Sequence, residues 1–276
     1  MLFAAVDLFF FRRKMDGSCF VKKIEAVFFL FSLIFLSCGL DTFYYLEPSK
    51  TDGHTTKYTS DDRPQLYFSF LTNEEGDNSN YGSSDFSFLG TEVYYKIYNN
   101  SSAMVSAQNA VDSLNSSSDV SAAAVNLINS RNYKTLSFSS YSKTPLIPAD
   151  NDDRYVYIRL NSISGQDEFS AAVCYGASAM EKYDSSSGAA TLIGKPLRNV
   201  SSGSGYGFDF NRNDRQNNPP PVSSDEDVSW SGSSSGDGTW YVDMWAVSVG
   251  RDSSYSPSYS KLLHLGSISI KEEWYD

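Results

Sequence analysis

Alternation of apolar and polar side chains dominates the last third of the chain. In the stretch 240–249 the acidic Asp243 is surrounded by apolar residues. Successive side chains of a β-strand point to opposite faces, so an Asp243 that faces water sends the residues of the other parity to the core. These predicted core positions are Trp240, Val242, Met244 and Ala246.

The same alternation recurs earlier in the chain. In one segment Val93, Tyr95 and Ile97 share a face. In another, 154–160, the aliphatic residues point inward while Arg154 and Arg159 stay with the tyrosines outside. The predicted strands before the last third are 65–71, 85–89, 91–98, 154–160 and 169–175. The chain is therefore expected to be mainly β, with antiparallel pairing.

The last predicted strand changes its parity halfway. Leu263 and Leu265 set one parity, whereas Ile268 and Ile270 set the other. One extra residue switches the face of a strand, and glycine tolerates the backbone that this requires. We therefore expect a β-bulge at Gly266.

The final pair of strands, together with 90–95, is similar to the penultimate hairpin and central strand of fibronectin type III domains. The resemblance implies an antiparallel β-sandwich of the immunoglobulin or fibronectin III-like kind. We expect this domain to span 63–276.

Two segments break the β pattern. Apolar residues recur at steps of three and four in 102–115 and again in 119–131, which predicts two amphipathic helices. Side chains at 117–119 can cap the second helix. The sandwich is thus expected to carry a helical insertion at 102–131 that covers one edge or end of a sheet. Binding of a partner is the alternative.

The segment 199–238 consists mostly of Ser, Gly, Asn, Asp and Pro. Such a composition buries too little apolar surface to offset the entropy cost of ordering, so we expect a largely mobile loop. Four aromatic residues can attach short pieces of it to the domain: Tyr206, Phe208, Phe210 and Trp230.

The amino-terminal region has the organisation of an export signal. Lys22 and Lys23 precede the uncharged apolar run 26–36, and a small residue stands directly before Cys38. This order predicts a bacterial lipoprotein signal that is cut before Cys38, whose thiol then carries the lipid. The run has only about half of the roughly 20 residues of a spanning helix. An uncleaved membrane anchor is the alternative.

The sequence CGLDTFYYLEP at 38–48 resembles the mature amino terminus of a family of treponemal lipoproteins. That resemblance implies a lipid-anchored protein of the cell envelope and carries no assigned activity. We expect 38–62 to form a tether, because it is mostly polar and lacks periodicity. Met15 is the expected start, since 1–14 adds a second apolar patch and basic cluster that export does not need.

The net charge limits the possible binding partners, and the cysteine content limits the possible disulfides. Without 1–37 the chain has 17 basic and 30 acidic residues, a net charge of −13. Such a surface repels nucleic acid and anionic lipid. Because Cys19 leaves with the signal and Cys38 carries the lipid, no intrachain disulfide is possible and only Cys174 remains. Its apolar neighbours predict a buried, unreactive thiol.

Few motifs indicate chemistry. The sequence GSSSG at 232–236 fits a nucleophile elbow, but no predicted strand precedes it and no helix follows. The acidic stretches 150–153 and 225–227 offer oxygen ligands to calcium without EF-hand spacing, so solvated turns are the preferred interpretation. His54 and His264 lie on separate elements without a carboxylate at ligand spacing. We expect no catalytic, metal or cofactor site.

Tyrosine beside serine is the remaining signal. The loop 250–260 carries Tyr255, Pro257 and Tyr259 between two predicted strands, and loops of this composition form antibody paratopes. Half-buried strand tyrosines are the alternative. We therefore expect a non-enzymatic, lipid-anchored envelope protein that binds a protein or glycan. A periplasm-facing structural or assembly lipoprotein is the second hypothesis, and a hydrolase is the third.

Overall fold

The computed structural model describes residues 44–80, 85–138, 145–201, 205–232 and 238–275. The chain divides into Met1–Phe43 and Tyr44–Asp276, and only the second unit contains described residues. The predicted signal segment and Cys38, the predicted site of lipidation, therefore lie outside the described residues.

The described unit is mainly β. Its strands are β1 (Phe68–Leu71), β2 (Phe86–Tyr98), β3 (Lys134–Thr135), β4 (Ile147–Pro148), β5 (Tyr155–Arg159), β6 (Ala172–Gly176), β7 (Ala190–Gly194), β8 (Val228–Ser229), β9 (Thr239–Asp252), β10 (Pro257–Tyr259) and β11 (Leu263–Lys271). Its helices are α1 (Glu74–Asn80), α2 (Ser101–Asn115) and α3 (Ala122–Val125), which continues as a π-helical turn at Asn126–Ser130. Short 3-10 turns occur at Arg63–Gln65, Asp167–Phe169 and Glu272–Trp274.

These strands form two sheets. The first has the order β1-β5-β6-β7. In the second, the order is β10-β9-β2-β3, with β11 also beside β9 and with β4 and β8 beside β2. All pairs are antiparallel except β2 with β8, which is parallel. The antiparallel, mainly β prediction is confirmed.

The two sheets share one main core. It combines Phe68, Phe70, Val156 and Ile158 of the first sheet with Val93, Tyr95, Ile97, Val242, Met244, Ala246 and Ile268 of the second. Trp240 also belongs to this core. The core positions that alternation predicted in β2 and β9 are therefore confirmed.

Helices α2 and α3 cover the outer face of the second sheet. Met104, Ala107 and Val111 of α2 pack with Trp245 and Val247 of the sheet in a second core. Two helices were predicted here, but they cover a face of the sheet and not its edge or end. The prediction that Asp243 faces water is consequently wrong, because this face lies under the helices and Asp243 is fully buried.

The outer face of the first sheet is also covered, and Tyr67, Tyr157 and Cys174 form a small core there. Arg159 is fully buried, so the prediction that it lies outside is wrong. Its guanidinium donates to the carbonyl oxygens of Arg63 and Pro64 and to the Tyr157 hydroxyl. The ring of Phe169 lies 5.1 Å from the guanidinium carbon. The chain at 63–64 thus supplies the acceptors that water would otherwise provide.

The β-bulge at Gly266 is confirmed. The β9–β11 register shifts between His264 and Gly266, and Gly266 has φ +106°. A Cβ at this position would lie 2.3 Å from the carbonyl oxygen of Thr56. The glycine therefore serves both the bulge and the close approach of the amino-terminal segment.

That amino-terminal segment, 44–58, is fastened to the domain and differs from the expected free tether. Lys50 and Leu71 exchange two backbone hydrogen bonds of 2.8 Å. Thr56 forms a bridge to Gly266, and the Leu46 side chain is 1% exposed. The segment crosses from the free edge of β1 to that of β11. Unpaired edge groups of both sheets thereby gain partners.

The low-complexity segment is also packed in its described part. Phe208 and Phe210 belong to the main core and are fully buried. These two aromatic residues therefore attach the segment to the domain, as predicted. Trp230 remains 38% exposed. This packing differs from the largely mobile loop expected from composition. The packing depends on the individual contacts of Phe208, Phe210 and the buried Arg198, which an average composition does not show.

Candidate functional site

Several polar side chains lie on the helix-covered face of the second sheet. Strand β2 directs Glu92, Tyr94 and Lys96 to this face, because the alternate residues fill the main core. Strand β9 contributes Asp243 and Trp245 to the same face. Two candidate sites result, a buried cluster around Asp243 and a groove beside Glu92.

In the first site Asp243 accepts hydrogen bonds on both oxygens. Its Oδ1 lies 2.7 Å from Gln108 Nε2 and 2.8 Å from His264 Nε2. Its Oδ2 accepts from the Tyr133 hydroxyl and from Trp245 Nε1, both at 2.7 Å. Four donors thus replace the water that a buried carboxylate loses.

The Asp243 cluster orients His264. A carboxylate only accepts hydrogen bonds, so His264 Nε2 carries a hydrogen and the neutral ring has its lone pair on Nδ1. The imidazole stacks on the Trp245 ring with centroids 4.2 Å apart, and its side chain is 31% exposed. Sequence spacing missed this pair, since Asp243 and His264 meet only through the register of β9 and β11.

The pair does not extend to a triad. Among the described residues, no serine, threonine or cysteine hydrogen-bonds to His264. Cys174 lies on the first sheet and is fully buried, as predicted, and burial raises the pKa of its thiol to about 12. His54 instead stacks on Tyr67 with centroids 3.9 Å apart. The two histidines therefore stay on separate elements.

The second site is a groove of about 260 Å³. We call it the tyrosine groove; it is lined by Leu89, Glu92, Tyr94, Thr135, Pro145, Val249 and Tyr259. Glu92 is 5% exposed, and burial raises its pKa to about 7. Burial also raises the pKa of Tyr94 and of Tyr259, and the Glu92 charge adds to both shifts. The groove thus combines two phenol groups with a carboxyl that titrates near neutrality.

The structure separates the three residues predicted to bind a partner. Tyr255 is 75% exposed at the hairpin tip, Pro257 is exposed on β10, and Tyr259 is half-buried in the tyrosine groove. The predicted loop 250–260 is also shorter than expected. Strand β9 continues to Asp252 and β10 begins at Pro257, so only 253–256 form the turn.

In the acidic stretches that could hold calcium, several carboxylates form ion pairs with basic side chains. Asp225 and Asp227 lie 2.6 and 2.7 Å from the buried Arg198 guanidinium. Asp153 pairs with Lys50 at 3.1 Å, and Asp150 lies 3.7 Å from Arg154. Within the described ranges, no group of three His, Cys, Asp or Glu residues is arranged to hold a metal ion.

No protein-family model, curated protein or solved structure matches this chain. Within the described ranges, no helix combines the length and the apolar character that a bilayer span requires.

Proposed function

We propose that this chain is a lipid-anchored protein of the cell envelope whose folded domain is a non-enzymatic binding module. The predicted lipidation of Cys38 and the resemblance of 38–48 to treponemal lipoproteins support the anchor and an outer-membrane location. Two antiparallel sheets around a shared core support an immunoglobulin or fibronectin III-like sandwich. The parallel β2–β8 pair is a departure from that type.

The tyrosine groove carries the binding proposal. Tyr94 and Tyr259 offer aromatic surface at a small entropy cost, while Glu92 and Thr135 add a carboxyl and a hydroxyl group to the lining. A glycan suits this lining, because a sugar ring presents apolar C–H faces and hydroxyl groups at once. A volume of about 260 Å³ lies just below the roughly 300 Å³ at which the usual range for small-ligand sites begins. We therefore propose that a single sugar residue occupies it.

Binding is favoured over hydrolysis by the acid content of the groove. Most glycosidases use two carboxyl groups roughly 5 to 9.5 Å apart. Among the described residues, Glu92 is the one carboxylic acid in the lining of the tyrosine groove. The Asp243–His264 pair supports the hydrolase hypothesis only if a nucleophile is supplied from outside the described residues.

A glycan array followed by calorimetry tests the proposal on the mature chain. We expect Tyr259→Ala to weaken binding of the selected glycan at least tenfold through loss of aromatic contact. The matched control is Tyr255→Ala, which removes a tyrosine from the same hairpin outside the groove and leaves affinity unchanged. Glycan binding that survives in Tyr259→Ala, or capture of a protein in place of any glycan, would refute the proposed ligand.

The alternative, a periplasm-facing structural or assembly lipoprotein, is favoured by the fastened segment 44–58. Only 39–43 would separate an acylated Cys38 from the domain, which is a short reach for a surface binder. Protease treatment of intact cells distinguishes the two roles. Cleavage of the domain supports surface display, whereas protection until the outer membrane is permeabilised supports the periplasmic role.

A further inference from the structure

We propose that the tip of the β9–β10 hairpin, residues 252–256, rests on the interfacial layer of the bilayer that holds the anchor. Tyr255 is the contacting aromatic side chain. This inference rests on the proposed lipidation of Cys38 and adds an orientation for the domain on the membrane. It gives Tyr255 a role outside the tyrosine groove.

The hairpin tip lies at the same end of the domain as the first described residue. The Tyr44 ring stacks on Phe86 with centroids 4.4 Å apart, and Phe86 is the register partner of Asp252. The Ser253 N–H donates to the carbonyl oxygen of Asp85 at 2.9 Å. The chain therefore enters the domain beside the tip.

The covalent chain limits how far this end can lie from the bilayer. Six residue steps separate Cys38 from Tyr44, which is roughly 20 Å when fully extended. To release the chain as far as Lys50, the domain would have to break the two backbone hydrogen bonds between Lys50 and Leu71. It would also have to expose Leu46, whose side chain is 1% exposed. An acylated Cys38 therefore holds this end near the lipid surface.

The tip has the side chains that an interface accepts. Tyr255 is 75% exposed, and the Arg251 guanidinium lies 5.0 Å from its ring centroid. Tyr45, at the same end, is 44% exposed. Tyrosine is enriched at membrane–water interfaces, and a guanidinium pairs with lipid phosphate. The turn itself is held by Asp252, whose Oδ1 accepts from the backbone N–H groups of Ser254 and Ser256 at 2.9 Å.

The charge of the chain selects the lipid. A mature net charge of −13 repels an anionic surface, so the proposed contact is with zwitterionic headgroups. The opposite end of the domain provides a control position. Phe86 and Ile97 are eleven residues apart on β2, roughly 35 Å, and the backbone N–H of Ile97 bonds to the carbonyl oxygen of Asp227. The backbone N–H of Val222 donates to Asp225, two residues before Asp227, so Val222 lies near this end; it is 51% exposed.

Site-specific quenching tests the orientation. The acylated mature protein, which begins at Cys38, is reconstituted into phosphatidylcholine vesicles that contain a spin label near the headgroups. A fluorophore is attached through Tyr255→Cys or, as the matched control, Val222→Cys. Cleavage before Cys38 removes Cys19, Cys38 is acylated and Cys174 is buried, so each variant has one reactive thiol. We expect at least threefold stronger quenching at 255 than at 222.

The outcomes separate this inference from the proposed anchor. Mass spectrometry of the product and flotation with vesicles report acylation, and Cys38→Ser should abolish flotation. An acylated, floating protein with equal quenching at the two positions, or stronger quenching at 222, overturns the orientation alone. A product without acyl mass overturns both the anchor and the orientation.

Discussion

Asp243 Oδ1 lies 2.8 Å from Nε2 of His264, although Asp243 is fully buried and the His264 ring reaches the surface. The hydrogen bond therefore links a buried carboxylate to a side chain at the surface, on the helix-covered face of the second sheet. Gln108, Tyr133 and Trp245 complete the hydrogen bonds of Asp243. The cluster ties α2 and the chain before β3 to the second sheet.

Replacing Asp243 should destabilise the domain strongly. In Asp243→Asn an amide nitrogen takes the place of one acceptor, so it faces donors and leaves them unsatisfied. We expect a loss of about 3 kcal/mol in the free energy of unfolding, measured by urea denaturation. The exposed Asp152→Asn is the control and should change it by less than about 0.5 kcal/mol. Equal stability of the two variants would contradict the role assigned to the cluster.

Gly266 and Gly53 allow backbone strain to be separated from a steric clash. Both have positive φ, +106° and +97°, but a Cβ at Gly266 would meet the Thr56 carbonyl oxygen at 2.3 Å whereas Gly53 has nothing within 4 Å. Gly53→Ala should cost about 1 kcal/mol from strain alone. Gly266→Ala should cost at least about 2 kcal/mol more, since the bulge or the bridge must shift. Similar melting temperatures for the two variants would show that segment 44–58 does not press on the bulge.

Asp77 should make stability fall as pH rises. Burial raises its pKa from 3.8 to about 7, with the Glu47 and Asp153 charges adding to the shift. Between about pH 4 and 7 the folded state holds a proton that the unfolded state has released, so stability falls across this range and levels off above pH 7. Each pKa unit corresponds to about 1.4 kcal/mol.

Asp77→Asn isolates that contribution. The unfolding free energy of the variant relative to the original chain should increase from pH 4 to pH 7 and then level off. Glu92, whose pKa is also raised to about 7, keeps its own slope in both chains and cancels in the comparison. A difference that does not vary with pH would mean that Asp77 is ionised throughout this range.

Arg198 should hold the low-complexity segment in place. Its side chain is fully buried and pairs with Asp225 and Asp227, while the Tyr95 hydroxyl donates to Asp227 at 2.8 Å. Arg198→Met leaves a buried carboxylate without its cation. We therefore expect the free energy of unfolding to fall by about 3 to 5 kcal/mol, which is the usual cost of breaking a buried ion pair. Proteolysis should become faster within 205–232.

Two further variants test this assignment. Adding Asp227→Leu to Arg198→Met removes the stranded charge and should recover part of the loss in urea denaturation. Lys182→Gln, which breaks the exposed pair with Glu168, should cost less than about 1 kcal/mol. If Arg198→Met costs no more than Lys182→Gln, the buried pair does not stabilise the segment.

The sequence alone predicted the features that depend on neighbouring residues. The period-two pattern of β9 identified its core face, the change of parity located the bulge at Gly266, and the three-and-four spacing located both helices. Each of these follows from the backbone geometry of one element, which repeats within a few residues. The anchor at Cys38 is likewise a local pattern and stays a prediction.

Only the tertiary structure decided which faces are covered and which charges are paired. Asp243 and Gln108 are 135 residues apart, and Arg159 finds its acceptors about 95 residues earlier in the chain. Burial of a polar residue is favourable only when distant segments deliver its hydrogen-bond partners. A local pattern contains no information on those segments. An acidic residue in a strand is therefore expected to face solvent, and only the tertiary structure shows whether another element covers it.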